Sequence, residues 1–222
     1  MKKRKKTISS FTKKFNQLQQ QLEKFSQSPI VIAVSKYVGA SEIAEAYAAG
    51  FRDFGENRVP DLLEKATLLQ ERCPDIRWHF IGNIQSNKIK DLMSLKSLYA
   101  IHSLDSLKHL KMIGERALAP LKIFIQINTS GETQKGGISS KEELSNYISE
   151  LQHYPYLFFE GLMTMASVGG DKNSAKKSFI ELKELSSHFP NARLSMGMSG
   201  DYEIALEQGS HYIRVGSLIF RD

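Results

Sequence analysis

The chain has 222 residues, 41% of them hydrophobic and 24% charged. That is an ordinary globular balance, long enough for one large α/β barrel or two small domains, with a core that needs neither metals nor disulfides. The lone Cys73 excludes an internal disulfide and fits a reducing compartment. Of the net charge of +6, residues 2–6 supply +5, so the basicity belongs to a tail over residues 1–6, expected to be disordered, and not to the fold.

The polar segment behind that tail, rich in Gln, Lys and Ser, does not read as a signal peptide. No run approaches the roughly 20 apolar residues of a membrane span. The expectation is a soluble cytoplasmic protein.

The first predicted element is a helix within residues 7–27, on which Ile8, Phe11, Phe15, Leu18, Leu22 and Phe25 form one apolar stripe. Ser28-Pro29 ends it. The continuous apolar run at 30–35 then suits a strand buried on both faces. A helix over 41–49, closed by Gly50, follows. The same alternation continues. Strands are predicted at 51–55, 77–82, 97–102, 122–129, 157–165, 193–198 and 211–220. Helices are predicted at 60–70, 88–95, 105–118, from the Ser140–Glu143 capping box onward, at 172–188 and at 201–208.

Eight strands separated by helices, without a hairpin signal, imply right-handed crossovers and a parallel sheet. The count points to a single closed (β/α)8 TIM-type barrel. A doubly wound open sheet is the alternative, and it would leave its edges unprotected. No eighth helix is legible, and the N-terminal helix is expected to fill its place beside strands one and eight.

In such barrels chemistry sits at the C-terminal ends of the strands. Strand one ends in Lys36, which either snorkels to the rim or serves as a desolvated amine suited to capturing an aldehyde. Strand two ends in Glu56-Asn57; strand three carries His79, and a lone strand histidine is more often a packing residue. Residues 131–137 form a glycine-containing loop with Lys135. Met163 lies on strand six. Strand seven carries Ser195 and ends in Ser199-Gly200 before Asp201; strand eight carries Arg214, Gly216 and Ser217. Small residues after strands seven and eight mark the usual phosphate cup of this fold. A lysine on strand one beside such a cup is the arrangement expected for pyridoxal 5′-phosphate. Walker, dinucleotide-binding and nucleophile-elbow motifs are absent, and His79, His102 and His109 lack metal-ligand spacing.

These residues resemble the pyridoxal phosphate homeostasis protein family. The shared segments are AVSK (33–36), FGEN (54–57), WHFIG (78–82), QSNK (85–88), INTS (127–130), KGGI (135–138), GLM (161–163), LSMGMS (194–199) and IRVGS (213–217) with IF (219–220). They span nearly the whole chain, in order.

The resemblance implies a barrel like the N-terminal domain of alanine racemase, with the cofactor held as an aldimine on Lys36. It implies phosphate contacts at Ser199, Gly216 and Ser217 and places Arg214 against the pyridine nitrogen. Asn57, His79, Met163 and Ser195 become ring or outer neighbours. A role in vitamin B6 homeostasis without turnover, as a monomer that passes its cofactor to dependent apoenzymes, is also implied. The alternative is a small racemase or decarboxylase with His79 or Tyr37 as its second acid or base. A nucleic-acid partner would have to act through residues 2–6, where no aromatic platform is evident, and none is expected. One departure touches the site: many relatives carry an acidic residue directly after the serine, whereas Gly200 precedes Asp201 here.

Overall fold

A computed structural model describes residues 9–129, 137–138, 140–166 and 171–221. Lys135 and the basic tail lie outside them. Among the described residues the strands are β1 (Ile30–Val34), β2 (Asp53–Glu56), β3 (Arg77–Phe80), β4 (Leu98–Leu104), β5 (Leu121–Gln126), β6 (Leu157–Met163), β7 (Arg193–Met198) and β8 (Tyr212–Val215). They pair in parallel in chain order, and β8 returns to β1, closing the barrel. The helices α1 (Ser10–Leu22), α2 (Ala40–Ala49), α3 (Val59–Leu69), α4 (Ile89–Met93), α5 (Leu107–Gly114), α6 (Lys141–Leu151), α7 (Lys172–Ser186) and α8 (Tyr202–Glu207) surround it. This is the TIM-type architecture expected from the sequence.

Local chemistry sets the helix boundaries. The Ser140 hydroxyl accepts from the Glu143 amide at 3.1 Å, and Asp171 accepts from the Ser174 amide at 2.8 Å. Such caps contribute about 1 kcal/mol each. Gly50 ends α2 at φ 124°, and a Cβ there would lie 2.9 Å from the Phe15 ring. That close approach lets α1 settle beside α2. Phe15 meets Phe51 edge-on at 4.9 Å, Phe11 meets Phe220 at 5.8 Å, and the Tyr202 hydroxyl of α8 donates to Gln21 at 3.0 Å. Leu18 and Leu22 are buried beneath, each contributing about 1.5–3 kcal/mol. α1 therefore covers the outside of the barrel between α2 and α8.

Two elements differ from expectation. The predicted strand over 211–220 stops at Val215, and Ser217–Phe220 wind into one helical turn, α9. Gly216 marks the switch, with φ −121° and ψ −61°. Ile219 is buried while Leu218 is exposed, and an apolar run this short carries no period that separates strand from helix. The predicted helix over 88–95 is a 3-10 turn at Ser86–Lys88 followed by α4.

Candidate functional site

β1 sends Ile30, Ile32 and Val34 toward the barrel axis, and the same alternation brings Lys36 to its mouth. The turn beneath Lys36 is clamped. The Ser35 amide donates to the Gly55 carbonyl at 3.0 Å, its hydroxyl to Glu56 Oε1 at 2.6 Å, and Lys65 Nζ to the Ser35 carbonyl at 2.9 Å. Lys65 also pairs with Glu56 at 2.7 Å. Lys36 itself is half-buried, with Nζ 5.0 Å from the centroid of the Tyr37 ring, whereas Tyr37 is 79% exposed.

Lys36 opens into a cavity of about 970 Å³ at the C-terminal ends of the strands, near the upper end of the range for small-molecule sites. Asn57, Met163, Ser199, Arg214, Gly216 and Ser217 line it with Lys36, so these seven predicted residues come together. On the β7–β8 side the Gly216 amide donates to Ser199 Oγ at 3.2 Å, tying the two small-residue loops into one wall. Asp201 accepts from the Met198 amide at 2.5 Å, so the carboxylate displaced by Gly200 closes its own turn. Ser217 stands at the start of α9 and not on β8.

His79 and Ser195 are completely buried and lie below the cavity, not on its wall. Arg214, 4% exposed, forms the floor between them and the opening. It donates through NH1 to Ser195 Oγ at 2.7 Å and through NH2 to the Thr164 carbonyl at 2.9 Å. Burial pushes the Arg214 guanidinium down to about 10, against an upward pull from Asp201, so it stays cationic at neutral pH. His102, passed over in the sequence reading, joins His79 to Ser195. Its Nε2 lies 2.9 Å from His79 Nδ1 and its Nδ1 2.9 Å from Ser195 Oγ. Also unforeseen are Arg58, Lys88 and Arg221 on the rim. The lining residues described include five cations, with Lys36 and Arg214, and no carboxylate. Such a cavity favours a compact anion. No group of three or more potential metal ligands occurs among the described residues, and no helix described is long and apolar enough to cross a membrane.

A sequence profile of the alanine racemase N-terminal domain matches residues 8–222. The pyridoxal phosphate homeostasis protein of Schizosaccharomyces pombe is 39% identical over 200 residues, covering 86% of this chain and 83% of the relative. The Vibrio alginolyticus protein of the same name is 37% identical over 225 residues, covering 96% and 94%. The chain belongs to the pyridoxal phosphate homeostasis protein family. Family membership extends to the architecture. PipY of Synechococcus elongatus PCC7942, solved with pyridoxal phosphate bound, superposes with a TM-score of 0.84 at 30% identity. The match covers 95% of this chain and all of PipY.

Proposed function

We propose that this chain binds pyridoxal 5′-phosphate, attached through its aldehyde to the Lys36 amine. It acts as a cytoplasmic, monomeric reservoir that passes the cofactor to apoenzymes needing it, without turning over a substrate. The observation that carries the reading is the cavity itself: one lysine on a clamped turn facing a pocket lined by cations and no described carboxylate.

The donor set suits the ligand. A phosphate dianion would meet Ser199, Gly216 and Ser217, where two loops are already tied by the Gly216–Ser199 bond. Arg214 would meet the ring nitrogen, with Asn57 and Met163 at the ring's edge; His79 and Ser195 act from beneath. When bound, the cofactor supplies an electron sink, and a permanently cationic partner at its nitrogen weakens that sink by disfavouring protonation there.

The absence of turnover is supported by the fate of the two candidate acid–base groups. His79 is buried under the floor and engaged at both nitrogens, and Tyr37, at the edge of the cavity, is 79% exposed. Proton abstraction needs such a group within hydrogen-bond reach of the substrate.

The test is the absorbance of the purified, cofactor-loaded protein, followed by borohydride reduction and mass mapping. One label on Lys36, absent in Lys36→Ala, is expected, together with no Lys36-dependent deuterium exchange at the α-carbon of free amino acids. Labelling confined to other lysines would overturn the attachment, and Lys36-dependent exchange would establish a racemase-type enzyme.

A further inference from the structure

Barrel interiors of this class are filled mostly by Val, Ile and Leu. Here a polar chain crosses the interior from the cavity floor toward the opposite mouth. Arg214 NH1 meets Ser195 Oγ at 2.7 Å; Ser195 Oγ meets His102 Nδ1 at 2.9 Å; His102 Nε2 meets His79 Nδ1 at 2.9 Å; His79 Nε2 meets Asp53 Oδ1 at 2.9 Å. Arg77, whose side chain is 43% exposed, grips Asp53 at 2.8 and 2.5 Å. The other members are buried.

The ends of this chain determine its protons. Arginine only donates and an ionised carboxylate only accepts. Burial alone would raise Asp53, but the His79 and Arg77 hydrogen bonds more than offset it and hold the carboxyl below its ordinary value. His79 must therefore donate from Nε2, which leaves Nδ1 to accept from His102 Nε2–H. His102 Nδ1 is then bare and accepts the Ser195 hydroxyl proton, so Ser195 Oγ keeps a lone pair for Arg214. Every bond runs one way with both histidines neutral, and burial lowers both imidazoles accordingly. The reverse direction needs an extra proton on Asp53 or His79. It would also make Ser195 accept from His102 and from a guanidinium at once.

We infer that His102 and His79, anchored by Asp53, are positioning residues for Arg214: their one-way hydrogen bonds hold the guanidinium in place beneath the cofactor. Burying this many polar groups gives little stability over apolar packing. What it gives is a single orientation for the one charged group in the floor. The consequence for the cofactor rests on the reading of Arg214 as its ring-nitrogen partner. The chain itself does not.

The experiment therefore has two arms. In the cofactor-free protein, long-range 15N–1H spectra are expected to show both rings as the Nε2–H tautomer at pH 7. Arg214 guanidinium protons should be slowly exchanging in wild type and exchange on the order of tenfold faster in His102→Leu. His102→Gln, whose amide can accept and donate, should restore the slow rate. A cationic or Nδ1–H ring, or unchanged Arg214 exchange in His102→Leu, would overturn the inference whether or not any cofactor binds. In the loaded protein, His102→Leu should shift the cofactor absorbance and weaken retention about five- to tenfold, with His102→Gln again near wild type. Identical spectra and retention would overturn the positioning role. A wild-type protein that takes up no cofactor would sink the proposed function while leaving the first arm decisive. If His102→Leu does not fold, His79→Leu, one link further from Arg214, carries the same readouts.

Discussion

Replacing Lys65 by Met tests how the lysine turn is held. Glu56 is wholly buried; its Oε1 accepts from Ser35 and Lys65, and its Oε2 has no hydrogen-bond partner among the described residues. Lys65, 12% exposed, is the counter-charge of this carboxylate. Burial raises the Glu56 carboxyl above its ordinary 4.5, with the Lys65 and Ser35 hydrogen bonds opposing. Removing the ammonium deletes the larger opposition and leaves an uncompensated buried charge, a cost of about 3–5 kcal/mol. The carboxyl escapes by keeping its proton. A group with a raised folded pKa contributes stability below its unfolded value that is lost as pH rises through the folded one. The cost of Lys65→Met should therefore be small near pH 4.5 and complete by pH 8. At about 2–4 °C per kcal/mol for a chain of this size, Tm should fall by roughly 6–20 °C at pH 8. Thermal unfolding of wild type, Lys65→Met and the double variant with Glu56→Gln, from pH 4.5 to 8, measures this. The double variant should recover most of the loss, because no charge is left buried. A penalty below about 1 kcal/mol, or one that does not change with pH, would refute the argument.

Three further outcomes follow from the same geometry. A Cβ at Gly82 would lie 2.0 Å from the Asn57 carbonyl oxygen, so Gly82→Ala must push the β2 loop aside. About 1–3 kcal/mol of overpacking and weaker cofactor retention are expected by denaturant titration and equilibrium dialysis. His79 and His102 are held neutral by burial, so unfolding takes up their protons as pH falls below the ordinary histidine value. Stability should drop below about pH 6 at roughly 1.4 kcal/mol per pH unit for each ring. In His102→Gln the slope of urea stability against pH should fall by about one proton. Cys73 is buried and its thiol is raised by that burial. A thiol reagent should therefore label it only at the rate of opening, and fast labelling of the native protein would contradict the packing of the turn that follows α3.

The sequence carried the barrel because its strands announce themselves. Runs such as residues 30–34 and 123–125 are apolar on both faces, which only a covered parallel sheet requires. Lys36 was legible for a related reason: a charge at the end of such a run must come out at the mouth. The phosphate wall was legible as two clusters of small residues, although Ser217 turned out to open α9 where the same letters read as strand.

What lay beyond reach is the floor of the site. His102 is 23 residues from His79 and 93 from Ser195. Nothing local marks three side chains on three strands as standing at one depth in the barrel. Their meeting depends on strand stagger, and that stagger is altered by irregularities in register between Trp78 and His79, between Ile101 and Leu104, and between Ser195 and Met198. One slip of a residue would turn any of these side chains outward. A partial signal was available, however. Asp53 and Gly55 share one parity on β2, and Arg77 and His79 share the facing parity on β3. Asp53 can satisfy Arg77 and one imidazole nitrogen of His79, but the other ring nitrogen, buried in a barrel, cannot stay unsatisfied. That demand alone predicts a further polar partner from another strand, and the histidine of β4 is where the fold supplies it.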